Sequence, residues 1–259
     1  MKSISVDVIL IQGSLAGRNL SARQVVLIDV LRATSVMVTA LANGARAIVP
    51  VKEPSQAVEV RAKLGVDTAL LGGERNALPI ENFDLGNSPL EYTPEVVAGK
   101  TIIMCSTNGT KLLTDYRYPG PVWLCSFLNL RAVCDALVAE DLSVTIVCAG
   151  NQGDFSLEDT LCAGALVDYL ADAYSGHLEL NDSARVALLH YNANRTRLLE
   201  ALREGQHGLR LIELGYERDI AAAAEIDQCA VAPRFTEGRV ALSGAGATGA
   251  RPRGAAKPR

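Results

Sequence analysis

Four aliphatic runs in the chain each end in a turn of small and polar residues. They are VVLIDVLRATS (Val25–Ser35), TALLGGERN (Thr68–Asn76), TIIMCSTNGT (Thr101–Thr110) and VTIVCAGNQGDFSLEDT (Val144–Thr160). The turns carry the acids Asp29, Glu74, Glu158 and Asp159 beside Arg32, Arg75, Thr107, Asn108 and Thr110. Carboxylates suit a hard cation such as Mg²⁺. Backbone amides, hydroxyls and guanidinium groups suit an oxyanion. The two sets together point to phosphate chemistry.

Asp29 lies inside the aliphatic run VVLIDVL, where a carboxylate is costly unless paired, hydrogen-bonded or bound to metal. Arg32, three residues on, is placed to pair with it across a helical turn. Asp29 therefore reads as a buried structural acid, a metal ligand or a nucleophile, and Thr34 and Ser35 sit at a helix start that favours anions. STNGT (Ser106–Thr110) is the best anion cradle, because Asn108–Gly109 permits a tight turn and three hydroxyls surround it. In GGERN, Glu74 is a candidate for Mg²⁺ and Arg75 for a phosphate or carboxylate clamp. FDLGNSP (Phe83–Pro89) adds Asp84, Asn87 and Ser88 as part of a lid. Glu158 and Asp159 crowd a helix start, where capping accounts for part of their charge. They point ~100° apart on a helix, so a shared metal is doubtful. Cys105 to Lys111 resembles the Cys-x5-Arg loop of thiol phosphatases but lacks the arginine fork, and Cys105 reads as a buried thiol. His177, His190 and His207 fall in the helical C-terminal half and take no catalytic role.

Strands over Ile4–Ile11, Val25–Val30, Ala47–Val51, Thr68–Leu71, Thr101–Cys105, Val122–Cys125 and Val144–Cys148 must position these turns, alternating with helical patterns. Low aromatic content, 5%, with Val, Leu, Ile and Ala as the apolar mass suits parallel strands covered by helices. The carboxyl edge of such a sheet is where ligands bind. Glu74 to Pro94 has no period and reads as an ordered loop over the site. Asp182 onward is helical, and Val231–Val240 is a final hairpin or edge strand. Residues 1–242 read as one α/β domain and 243–259 as a disordered tail.

A net charge of −4 argues against a nucleic-acid binder. No apolar stretch is long enough to span a bilayer. Six cysteines without a CxxC pair suit free thiols in a reducing compartment, so a cytoplasmic protein is expected. The sequence leaves open whether the chain forms a homo-oligomer.

The segments IDVLRATS, GERNALPIENFDLGNSPLEY, STNGT and CAGNQGDFSLEDTLCAG, in that order, resemble the 2-phosphosulfolactate phosphatase family. The resemblance implies a three-layer α/β/α fold with a mostly parallel, mixed sheet. It also implies a Mg²⁺-dependent acid phosphatase that cleaves 2-phosphosulfolactate to sulfolactate and phosphate, a step towards coenzyme M, or that acts on other 2-phospho-hydroxyacids. The roles of the motif residues are inferred from their chemistry: Asp29, Arg32 and Arg75 are expected in catalysis. Thr34, Asn87, Ser88, Thr107, Asn108, Gly109 and Thr110 are expected to hold the phosphate ester, and Asp29, Glu74, Glu158 and Asp159 to hold Mg²⁺. A non-catalytic small-anion binding protein is the alternative. Aspartate-nucleophile phosphatases and dinucleotide-binding oxidoreductases fit less well, since Asp29-Val30-Leu31 lacks a second Asp and no G-x-G-x-x-G is present.

Overall fold

Aliphatic runs that are buried on both faces need partners on both faces, and the strands of this protein find them. The computed structural model describes residues 2–115 and 118–242. The tail expected over 243–259 lies outside the described residues. The strands are β1 (Ser3–Ile9), β2 (Gln24–Ile28), β3 (Ala47–Val51), β4 (Ala69–Arg75), β5 (Leu78–Pro79), β6 (Thr101–Cys105), β7 (Val122–Cys125), β8 (Val144–Cys148), β9 (His177–Leu180), β10 (Arg234–Thr236) and β11 (Arg239–Ala241). The helices are α1 (Ala33–Ala42), α2 (Pro54–Leu64), α3 (Pro94–Val97), α4 (Gly109–Asp115), α5 (Leu130–Glu140), α6 (Leu157–Ala173), α7 (Asp182–Asn194), α8 (Leu198–Glu204), α9 (Gln206–Glu213) and α10 (Glu217–Ala223).

The strands form one sheet in the order β5-β4-β6-β3-β11-β10-β7-β2-β8-β1-β9. It is the expected α/β arrangement with a mixed, mostly parallel sheet. Its layout differs from a single parallel edge. Strands β4, β6 and β3 form one parallel block, and β7, β2, β8, β1 and β9 form another. The hairpin β10–β11 joins them through antiparallel contacts, so it is an internal bridge and not an edge. Three antiparallel junctions in a row reverse the strand direction between blocks.

Side-chain alternation shows how the blocks still converge. Val25 and Leu27 of β2 share an apolar cluster with Ile102 and Met104 of β6, and with α1 and α4. The opposite faces look outward: Val26 and Ile28 pack with α5 and α6, while Ile103 and Cys105 pack with α2. The sheet is therefore bent back on itself around α1 and α4, with further helices on its outer faces. The bend is permitted where pairing is thinnest, at the single β3–β11 partner pair Ile48–Val240. It turns the carboxyl ends of β2, β4, β6 and β8 towards one another. No helix among the described residues is long and apolar enough to cross a membrane.

The segment from Glu74 to Pro94 is ordered, as expected for a loop that packs over the site. Asp84 Oδ2 accepts from the Leu71 amide at 2.8 Å, Tyr92 Oη donates to the Gly86 carbonyl at 2.7 Å, and Asn43 Nδ2 donates to the Tyr92 carbonyl at 2.8 Å. Tyr92 is fully buried. An irregular segment survives inside a fold when its polar groups are satisfied this way.

Candidate active site

Asp29 follows β2 directly and is 5% exposed. Its backbone is stapled by Thr34: the Asp29 amide donates to Thr34 Oγ1 at 3.0 Å, and that hydroxyl donates to the Asp29 carbonyl at 2.8 Å. Oδ1 accepts from the Ala33 amide at 3.1 Å. The Leu31–Arg32 peptide bond is cis. Behind the turn, the Asp159 carboxylate accepts from the amides of Val30 at 2.8 Å and Gly150 at 3.0 Å, tying the loop after β2 to the loop after β8. Burial pushes the Asp29 pKa up to about 6, and the nearby Glu74 and Glu158 act in the same direction, opposed by the Ala33 amide and His207. Burial likewise holds Asp159 well above the carboxylate range.

Arg32 does not pair with Asp29. It precedes α1, outside the helical turn that the spacing suggested, and Nη1 reaches Asp219 of α10 at 2.6 Å. Nη2 donates to the Ala77 carbonyl at 3.0 Å, and the guanidinium lies 4.5 Å from the centre of the Tyr216 ring. Ser88 Oγ donates to the other Asp219 oxygen at 2.6 Å. One buried acid thus fixes both Arg32 and the loop before α3.

Glu74, next to last in β4, faces the turn after β6. Its Oε1 accepts from the Thr107 amide at 2.6 Å, and Oε2 accepts from Thr107 Oγ1 at 3.0 Å and the Ala77 amide at 2.7 Å. Ser106 and Thr110 close the turn on itself through reciprocal bonds from Ser106 N to Thr110 Oγ1 at 2.8 Å and Thr110 N to Ser106 Oγ at 3.1 Å. The amides of Asn108 and Gly109 donate to no acceptor among the described residues. Gly109 is required by proximity: a Cβ there would stand 2.7 Å from both Ala33 Cβ and Asp29 Oδ2. Cys105 donates its thiol to the Lys52 carbonyl at 3.3 Å, and burial pushes its pKa up to about 11, so it stays a thiol.

These turns enclose a cleft of about 410 Å³, lined by Asp29, Arg32, Glu74, Asn87, Thr107 and Asn108 among others. A family model described as 2-phosphosulpholactate phosphatase matches residues 10–238. The chain belongs to this phosphatase family. A protein of Caldanaerobacter subterraneus subsp. tengcongensis named probable 2-phosphosulfolactate phosphatase is 41% identical over 230 residues, 89% of this chain and 95% of its own length. Proteins with the same name are 43% identical over 216 residues in Thermotoga petrophila (83% of this chain, 90% of theirs) and 35% identical over 235 in Clostridium tetani (91% and 99%). Membership makes the chain a phosphomonoester hydrolase by class.

Within this family frame, the expected site residues divide in two. Asp29, Arg32, Glu74, Asn87, Thr107 and Asn108 reach the cleft, and Gly109 packs against Asp29. Thr34, Ser88, Thr110 and Asp159 lie behind it, holding backbone and side chains in place. Arg75 is not part of the cleft lining: it meets Glu53 and donates to the carbonyls of Lys52 and, at 3.5 Å, Ser106. Glu158 is buried, and its Oε1 faces His207 Nδ1 at 3.2 Å. Among the described residues no three His, Cys, Asp or Glu side chains are grouped to hold a metal ion, so Asp29, Glu74, Glu158 and Asp159 do not form one four-carboxylate centre.

The cleft also gathers residues with no role in the sequence reading: Asn151, Gln152, Asp154, Gln206, His207 and Arg210. Asp219, which anchors Arg32, was equally invisible. The only local cue was an acid and a histidine inside amphipathic C-terminal helices, a pattern that solvent-exposed helices share.

Proposed function

We propose that the protein is a Mg²⁺-dependent phosphomonoester hydrolase acting on 2-phospho-hydroxyacids, with 2-phosphosulfolactate, the ester in its relatives' names, as the leading substrate. The observation that carries this reading is that Asp29, Glu74 and residues Ser106, Thr107 and Asn108 of the turn after β6 meet in one cleft. Asn87 Oδ1 on the same wall is buried and has no hydrogen-bond partner among the described residues. Two carboxylates and a vacant amide oxygen form a hard oxygen set that fits Mg²⁺, which needs only one or two protein carboxylates beside water and substrate phosphate. Asp29, Glu74 and Asn87 would hold it. When bound, Mg²⁺ neutralises charge on the phosphoryl oxygens.

The remaining work falls to the chain. The turn after β6 presents the Asn108 and Gly109 amides to phosphoryl oxygens, and Glu74 keeps that turn rigid by taking up Thr107. Arg32, already oriented by Asp219 and Tyr216, offers fixed positive charge to the transferring group at no reorganisation cost. Phosphate release from a panel of 2-phospho-hydroxyacids, with Mg²⁺ and with EDTA, tests the reading. Mg²⁺-dependent release that Asp29→Asn abolishes is expected. Release that survives EDTA or Asp29→Asn in full, or binding of the esters without turnover, would overturn it.

A further inference from the structure

We propose that His207 is a catalytic residue that, oriented by Glu158, donates a proton to the leaving oxygen of the phosphate ester. The inference rests on the phosphomonoesterase reading above and assigns it a general acid. His207 lies on α9 and lines the cleft, with a side chain 15% exposed beside a Glu158 side chain 3% exposed. The carboxylate accepts, so Nδ1 carries the hydrogen. Nε2 stands on the far side of the ring and has no partner among the described residues. A buried acid that fixes one imidazole nitrogen and leaves the other for a cleft is the arrangement of an oriented acid–base histidine.

The mount is rigid. A Cβ at Gly208 would stand 1.9 Å from the Leu202 carbonyl oxygen, so the start of α9 is pressed against α8. Of the other cleft residues, Asp29 is committed to Mg²⁺ in the reading above, and the rest are poor proton donors. Arg32 and Arg210 do not give up protons. Glu74 is taken up by three hydrogen bonds, and Asp154 is exposed at the rim.

In the step, the oxygen of water forms a new P–O bond and the ester P–O bond breaks. The bonding pair moves to the leaving oxygen, which takes the Nε2 proton and departs as the hydroxyl of the hydroxy acid. The proton lost by water restores the imidazolium through solvent, so ester and water become hydroxy acid and phosphate.

The test compares an alkyl ester, 2-phospholactate, with p-nitrophenyl phosphate, whose aryl oxide leaves without a proton. His207→Asn should lower kcat on the alkyl ester about 10²- to 10³-fold, and on the aryl ester by less than about tenfold. Glu158→Gln should show the same asymmetry at about a tenth of the size. Equal losses on both esters, or full activity on 2-phospholactate, would overturn the role while leaving the phosphatase reading intact. A wild type that hydrolyses neither ester would overturn that reading, and the acid with it. Where a variant fails to fold, the wild type decides: kcat across alkyl and aryl phosphates should depend weakly on leaving-group basicity, and a steep dependence refutes proton donation.

Discussion

Replacing Asp29 by Asn should inactivate the enzyme and stabilise the fold. Burial raises the Asp29 pKa from 3.8 to about 6, with Glu74 and Glu158 adding to it. An acid whose folded pKa is raised weakens folding wherever its unfolded form is ionised. The penalty is absent below pH 3.8, grows between 3.8 and about 6, and is constant above. At ~1.36 kcal/mol per pH unit the gap corresponds to about 3 kcal/mol near neutral pH. Asn keeps an oxygen for the Ala33 amide. Its Nδ2 meets the crowded edge of Gly109, which offsets some of the gain. A rise of up to about 6–12 °C in Tm is therefore expected at pH 7.5 in EDTA, at ~2–4 °C per kcal/mol for a chain of this size. The difference should shrink through pH 6 and vanish near pH 4. Mg²⁺ should raise the wild-type Tm and not that of the variant. Differential scanning calorimetry across pH reads all of this. An Asp29→Asn protein no more stable than wild type at pH 7.5, or a Tm difference that does not change with pH, would refute the reasoning.

Three further outcomes follow from the same geometry. Asp219→Ala leaves Arg32 as a buried, uncompensated charge and should cost about 3–5 kcal/mol in urea unfolding, with phosphatase kcat falling at least as steeply as in Arg32→Met. Gly109→Ala forces the added methyl into Asp29 Oδ2 and Ala33, and should reduce kcat by about 10²-fold, the scale of a ~1 Å misplacement, with little change in far-ultraviolet circular dichroism. Arg75→Ala removes an exposed pair with Glu53, whose side chains are 37% and 65% exposed, and bonds to the Lys52 and Ser106 carbonyls behind the turn, and should leave kcat within about threefold; a loss like that of Arg32→Met would return Arg75 to the chemistry.

The strands were legible because the signal was local. Ala47–Val51, Thr101–Cys105, Val122–Cys125 and Val144–Cys148 form over the runs that the aliphatic pattern marks. The turns were legible for the same reason: Asn108–Gly109 and Gly72–Gly73 sit where backbone must approach backbone, and a Cβ at Gly73 would stand 1.8 Å from the Cys105 carbonyl oxygen. Strand β9 escaped notice because HLEL is a short edge segment with alternating exposure. The reversal of the two blocks escaped notice because pairing across β10–β11 is set by residues far apart in sequence, such as Val240 with Ile48.

The site repeats that division. Residues next to the strand ends were named from their own neighbourhoods, but their roles depend on partners far along the chain. Arg32 is defined by Asp219, Asp29 feels His207, and Glu158 is taken up by that same histidine. All three links run to α9 and α10, the part of the chain with the weakest motif content. The two helices do more than cover the sheet. Asp219 grips the Arg32 turn from one oxygen and the Ser88 loop from the other. His207 meets the buried start of α6, whose Asp159 holds the backbone at Val30. Loss of order in α9–α10 would therefore release the guanidinium, the loop and the acid together. In a fold whose two parallel blocks meet through a thin hairpin, these helices act as a clasp between the Arg32 turn, the Ser88 loop and the start of α6.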